Sequence, residues 1–254
     1  MIMTRQSDLL ASLSPKIGVP VLLTRPQSEG EGFAKALLER FGSRVRPVLA
    51  PLIAPRFLSP DVPSLDFTAV VFTSAQAVKA ARRLQVPLPK LAYCVGRKTA
   101  AEATAAGFKT RSANGDVSDL LAMILFDKCK GPILYLRGVD TVGDLEKRLT
   151  DQDIATASLH VYIQEPQVFS PEAIQLLRVP DLMIVPLFSP RTARLFRHQL
   201  PTDAQAPLHV AAMSAAVAQA LDGLSLAALV TARQPDAPGM LDAVETLLTG
   251  LPSP

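Results

Sequence analysis

Two stretches of the sequence end an apolar run on a hydroxyl and turn at once into a helix-like pattern. VVFTSAQAV, residues 70–78, carries Thr73 and Ser74, and VPLFSPRTA, residues 185–193, carries Ser189. A related turn, Gly96-Arg97-Lys98-Thr99, follows the apolar run LAYCV. A serine at a helix start accepts a hydrogen bond from an N–H two or three residues on. The other first-turn N–H groups then point outward with a partial positive charge. A hydroxyl followed by free amides therefore suits a carboxylate or phosphate, and Pro190 suits the first helical position after Ser189. Any one of these residues is equally what an ordinary helix cap needs. Their recurrence at matched places in two parts of the chain points to a binding site.

The elements that must hold these turns follow from hydrophobic patterning. Apolar runs rich in leucine and β-branched residues, with little alternation, predict buried parallel strands at Val19–Thr24, Ala69–Thr73, Leu91–Val95, Pro132–Arg137, Leu182–Leu187, Leu208–Met213 and Leu229–Ala232. Amphipathic helices are expected between them, at Glu29–Phe41, Ala75–Leu84, Lys98–Ala106, Ser118–Phe126, Thr141–Leu149, Pro171–Leu177, Arg191–Leu200, Ala215–Leu221 and Gly239–Leu248. Alternation of this kind implies an α/β fold with helices on both faces of its sheets. Ligands of such sheets bind beyond the carboxyl ends of the strands, where the hydroxyl turns lie.

Two segments depart from the alternation. Arg44–Leu58 carries Pro47, Pro51 and Pro55, which forbids a helix and tolerates only an edge-type strand. Ala155–Gln164 alternates, with β-branched residues. The two are expected to pair as a two-stranded ladder. Internal similarity supports a division around them: residues 66–84 resemble 180–200, residues 91–108 resemble 208–226, and PILYLRG (132–138) echoes PVLLTRP (20–26). A repeat this long means two related domains rather than a solenoid. The expectation is two similar parallel-sheet domains, Rossmann-like or flavodoxin-like, joined by the ladder. Domain one combines 19–42 with 167–254, the linker combines 43–59 with 153–166, and domain two is the inserted segment 60–152. The two carboxyl-end faces could then look at each other across the ladder.

Composition narrows the chemistry. The chain has 254 residues, 48% of them hydrophobic, and a formal net charge of +3. No basic block suggests nucleic acid, while a modest positive excess suits a small polyanion. Cys94 lies inside an apolar run and reads as a buried free thiol; Cys129, His160, His198 and His209 lack metal-ligand spacing. The N-terminal segment has no long apolar core and contains Asp8, so no secretory signal is read there, and residues 1–18 are expected to be a loose extension. No run reaches the roughly 18 apolar residues of a membrane span. A cytoplasmic protein is the expectation. Gly30-Glu31-Gly32 lacks the third glycine of a dinucleotide loop, and the phosphate-binding, nucleophile-elbow and zinc-protease motifs do not occur. A cofactor-free enzyme working by shape and anion binding is left standing, and so is a plain ligand-binding protein.

The ordered set LLTRP, VVFTSAQAV, CVGRKTA, YLRG and LVTARQPDAPGML resembles the uroporphyrinogen-III synthase family, from about Val21 to Leu248. The resemblance implies two α/β domains joined by a two-stranded ladder, a monomer, no cofactor and no metal. It also implies cyclisation of the linear tetrapyrrole hydroxymethylbilane to uroporphyrinogen III with inversion of ring D, and a possible transient contact with hydroxymethylbilane synthase. Loss of the hydroxymethyl oxygen as water gives an azafulvene; the substituted α-carbon of ring D attacks it, and the spiro-pyrrolenine fragments and recloses reversed. Such an enzyme works by positioning and preorganised electrostatics.

Residue by residue, the resemblance assigns substrate binding to Thr73, Ser74, Gly96, Thr99, Arg137, Gly138 and Ser189, with Arg25 matched but open to a structural role. Tyr162, in HVYIQEP, matches the tyrosine that assists departure of the hydroxyl. A phenol is protonated at neutral pH and could donate that hydrogen bond. The alternative for Tyr162 is ladder packing across to Pro51. The chain departs from the family at Met213-Ser214-Ala215-Ala216-Val217-Ala218, where a glycine and a threonine are absent, so Ser214 is expected to supply the anion contact. The competing reading is a non-enzymatic two-domain protein binding a small anion.

Overall fold

The computed structural model describes residues 18–141 and 143–250. The expected N-terminal extension lies outside the described residues except for Gly18. The chain forms two compact units, one running to Ala54 and resuming at Pro166, the other Pro55–Glu165.

In chain order the elements begin with β1 (Val19–Leu23), α1 (Gln27–Phe41), β2 (Val45–Leu49) and β3 (Ile53–Phe57). The second unit follows with β4 (Ala69–Phe72), α2 (Ala75–Ala81), β5 (Leu91–Cys94), α3 (Arg97–Ala105), β6 (Lys109–Ser112), α4 (Val117–Phe126), β7 (Ile133–Gly138), α5 (Leu145–Thr150) and β8 (Thr156–Pro166). The chain then returns through α6 (Pro171–Arg178), β9 (Met183–Leu187), α7 (Pro190–Gln199), β10 (Leu208–Ala212), α8 (Ala215–Gln219), β11 (Ala228–Thr231) and α9 (Ala237–Thr249).

Among the described residues one sheet has the order β11-β10-β9-β1-β2 and the other β3-β8-β7-β4-β5-β6. The first sheet is parallel throughout, and so is the run from β8 to β6 in the second. Reversed, the second order becomes β6-β5-β4-β7-β8-β3, and its first five strands match the five of the first sheet, so β4 corresponds to β9, β5 to β10 and β7 to β1. Those are the segments whose sequences resemble one another. Both faces of each sheet are covered, which explains the unbroken apolar runs. Val70 and Phe72 pack into a core on one face of β4, while Ala69 and Val71 pack into a separate core on the other. Val185 and Leu187 likewise oppose Ile184 on β9. Cys94 is buried, as its apolar setting predicts, and burial pushes its thiol up to about 11.

Helix starts follow the sequence closely. Ser74, Ser170, Ser189 and Asp236 each accept a first-turn N–H, and Asp116 with Asp119 forms a reciprocal capping box. No described helix is long and apolar enough to cross a membrane.

The expected connector is corrected. Residues 45–49 form the parallel edge strand β2 of the first sheet, where Pro47 is tolerated because an edge strand needs fewer amide donors. The first part of β8 pairs in parallel with β7. The remaining pair, β3 with β8, is flanked by Leu58 N–H to Val161 O and Gln167 N–H to Leu52 O, an antiparallel register. Strand β6 is an addition: its sequence, KTRS, is polar and half exposed, so it has no apolar run to betray it.

Phe196 is fully buried and meets Phe169 edge-on at 5.8 Å between ring centroids. Phe196→Ala should cost about 3–5 kcal/mol in urea unfolding. Phe126→Ala, at a ring 82% exposed, should cost less than about 0.5 kcal/mol. Equal costs would contradict this assignment of the core.

Candidate active site

In an open parallel sheet, a crevice forms where neighbouring strands send their following helices to opposite faces. In the second unit that point lies between β4, whose successors β5 and β6 lie on one side, and β7, flanked by β8 on the other. Thr73 and Ser74 leave β4 there, and Arg137 and Gly138 end β7 beside them, since Phe72 is paired with Leu136.

Tyr162 is brought to the same place by an irregularity in β8. Arg137 pairs with His160 but Gly138 pairs with Tyr162, so Val161 is an extra residue. A bulge of this kind re-aims the side chains beyond it. The Tyr162 ring, 8% exposed, then lies directly over the Gly138 backbone. A Cβ at Gly138 would stand 2.6 Å from the Tyr162 Cζ and 2.9 Å from its hydroxyl. Glycine is required here for close approach. The Tyr162 hydroxyl is 3.1 Å from Ser74 Oγ, which also accepts the Ala77 N–H at 3.2 Å and so caps α2. The alternative of Tyr162 packing on Pro51 is corrected: the β3–β8 register sets Tyr162 opposite Phe57 instead.

On the other face of the sheet, Thr73 Oγ1 lies 3.4 Å from the Tyr135 hydroxyl. The Arg137 guanidinium donates to the Thr141 carbonyl at 2.5 Å, and its carbon stands 5.7 Å from the Tyr135 ring centre. Arg137 Nε is buried without a hydrogen-bond partner. An unpartnered cationic donor at a strand end offers an incoming anion a strong interaction. Tyr135 was not singled out by its sequence, although it shares a face with Arg137 at period two. Gly96 and Thr99 lie one strand further on, after β5. Gly96 has φ −122° and ψ 162°, and a Cβ there would meet nothing within 4 Å. Thr99 is buried in the first turn of α3, at 7% exposed.

The corresponding point of the first unit lies between β9 and β1. Ser189 leaves β9, and Thr24 and Arg25 leave β1. Ser189 Oγ accepts the Thr192 N–H at 3.1 Å and donates to the Thr192 hydroxyl at 2.9 Å. Its only proton is thereby committed, so it offers an anion the end of α7 rather than its own O–H. The Arg25 guanidinium stacks over the Phe188 ring at 4.0 Å, and burial lowers its pKa against the opposing pull of Glu29. Thr24, missed in the sequence reading, is fully buried with an unpartnered hydroxyl.

Ser214 starts α8 with φ −158° and ψ 167° and makes no side-chain cap. It thus has the extended backbone of Gly96, and neither position needs glycine. The absent glycine removes no required flexibility, and Val217, buried in the first turn of α8, takes the packing place of Thr99.

The Gly138–Tyr162 contact has a direct test. Gly138→Ala should destabilise by about 1–3 kcal/mol, because the ring must move. In a Tyr162→Ala background the same change should cost less than about 0.5 kcal/mol, as urea unfolding of the double-mutant cycle would show. Additive costs would mean that the ring does not rest on Gly138.

The crystal structure of uroporphyrinogen-III synthetase from Helicobacter pylori is similar to this chain with a TM-score of 0.59 at 17% identity, over 91% of this chain and 99% of that one. That likeness shows the fold. A mutant uroporphyrinogen III synthase from Thermus thermophilus aligns at 19% identity over 92% and 100% of the two chains, with a TM-score of 0.44. No curated protein matches the chain. Residues 33–242 match the profile of uroporphyrinogen-III synthase HemD, and on that match, which spans most of the sequence, the chain belongs to the uroporphyrinogen-III synthase family.

Proposed function

We propose that Tyr162, seated on Gly138 at the end of β7, is the proton donor with which this chain carries out its family's reaction. The chain is an enzyme, a cyclising lyase of tetrapyrrole biosynthesis. Its substrate in this reading is hydroxymethylbilane. The hydroxymethyl carbon–oxygen bond breaks with its electron pair on oxygen. That oxygen takes the Tyr162 proton and leaves as water, while a pyrrole nitrogen lone pair completes the azafulvene. The substituted α-carbon of ring D attacks, the spiro intermediate opens at its older bond, and ring D recloses turned over. A proton lost as the last pyrrole regains aromaticity balances the one donated.

The remaining task is to hold a flexible polyacid in the geometry that favours the spiro closure. Arg137 is the principal carboxylate ligand in this reading, because its buried Nε has no partner. Thr73, Gly96 and Thr99 complete the substrate edge of the second unit, where Ser74 stands against the Tyr162 hydroxyl, and Arg25, Ser189 and Ser214 supply anion contacts on the first. We read the two units as similar Rossmann-like domains, with β3 and the end of β8 as the ladder joining them. The same reading has the protein working as a cytoplasmic monomer without a cofactor, and taking its substrate by transient contact with hydroxymethylbilane synthase.

The observation that carries the proposal is the position of the Tyr162 hydroxyl, 3.1 Å from Ser74 at the crevice between β4 and β7. Purified protein supplied with freshly generated hydroxymethylbilane should give uroporphyrinogen III, and Tyr162→Phe should lower turnover by about a hundredfold or more without changing the unfolding midpoint. Unchanged turnover in Tyr162→Phe removes its role as donor. Accumulation of uroporphyrinogen I alone with the unmodified protein removes the synthase reading, and the simple anion-binding alternative would then stand.

A further inference from the structure

Ser74 sits where two hydrogen bonds meet. Its oxygen accepts the Ala77 N–H, and it lies within bonding distance of the Tyr162 hydroxyl. A serine hydroxyl has one proton and two lone pairs. The Ala77 bond is fixed in direction, because an amide can only donate. The bond to Tyr162 has two possible polarities with opposite consequences. If the phenol donates to Ser74, its proton is turned into the helix cap and is lost to chemistry. If Ser74 donates to the phenol oxygen, the phenol proton is free to face a leaving group.

The Ala77 N–H favours the second arrangement. Donation into the serine oxygen polarises its O–H and makes it a better donor in a chain of hydrogen bonds. It also takes up acceptor capacity that the phenol would otherwise use. After proton transfer the choice disappears, since a phenolate only accepts, and Ser74 then stabilises the charge left on Tyr162. Gly138 completes the seat by admitting the ring so close to the backbone that a Cβ would touch Cζ. The ring is thus located from beneath by Gly138 and at its tip by Ser74.

We infer that Ser74 is a positioning residue for Tyr162, donating its O–H to the phenol oxygen and thereby directing the tyrosine's proton outward, rather than a ligand for a substrate carboxylate. The inference rests on the reading of Tyr162 as the proton donor. It separates two jobs of Ser74, capping α2 and orienting Tyr162, which different substitutions can remove. Ser74→Ala removes both. Ser74→Asp keeps a good cap but has no proton to give. Ser74→Thr keeps the cap and the proton.

The test combines steady-state kinetics on hydroxymethylbilane with alkaline titration of phenolate absorbance, folding being checked at each pH. The chain has three tyrosines and no tryptophan, so subtracting the Tyr162→Phe curve isolates Tyr162. Ser74→Ala and Ser74→Asp should each lower kcat about tenfold or more with little change in KM, and each should raise the Tyr162 midpoint by about one to two pH units. Ser74→Thr should restore both. An unmoved Tyr162 midpoint in Ser74→Ala overturns the inference whatever the activity. So does a raised KM with kcat retained, which is the signature of a carboxylate ligand, or full turnover in Ser74→Asp, which would leave only the cap. If Tyr162→Phe is itself fully active, the inference falls with the reading beneath it, and the titration still reports whether the hydrogen bond exists.

Discussion

A parallel strand covered on both faces has only its ends left for chemistry, and that constraint organises this protein. Val70, Val71 and Phe72 of β4 are all fully buried, and so are Ile184, Val185 and Leu187 of β9. Apolar burial of about 1.5–3 kcal/mol per such side chain holds the sheets together. It also removes every position along those strands from contact with a polar ligand. Polar residues therefore gather where a strand turns into a helix, and the topology decides which of those turns are neighbours. In the second unit it makes neighbours of Thr73-Ser74 and Arg137-Gly138, which are far apart in sequence and adjacent because β4 pairs with β7.

Within that frame the bulge in β8 links packing to chemistry. A regular strand would carry Tyr162 past Gly138 on a different register. The extra residue, Val161, sets the ring over the one backbone position without a side chain, and the hydroxyl comes to rest by the residue that caps α2. Moving any of the three displaces the others. The first unit repeats the plan with different chemistry. Ser189 spends its proton on Thr192, and the edge presents Arg25 stacked on Phe188 in place of a phenol. Two related scaffolds have thus come to hold different groups at equivalent strand ends.

Much of the fold was legible because buried parallel strands are plain apolar runs and capped helices announce their starts. Repeats in the sequence also paired β4 with β9 and β5 with β10 before any topology was known. What escaped had physical reasons. Strand β6 is a polar edge strand held by backbone bonds to β5, and β2 was obscured by Pro47, which an edge position tolerates. The hydroxyl turns could be read as binding sites or as caps, and Ser189 and Ser74 make the first-turn bonds of caps. Tyr162 was found through resemblance, since nothing in HVYIQEP signals a bulge. The role of Gly138 depends on a ring arriving from another strand, and no local pattern carries that. Tyr135 and Thr24 were hidden for the opposite reason: each continues an apolar strand and reads as packing.

The central claim is that the chain turns ring D over during closure. It is tested most directly with hydroxymethylbilane carrying an isotopic label on two bonded carbons, the substituted α-carbon of ring D and the bridge joining it to ring C. In the spiro route that bond breaks. The product formed by this protein should have lost the one-bond coupling between the labelled carbons in its carbon NMR spectrum. A cyclic product that keeps the coupling would mean closure without inversion, and would contradict the account.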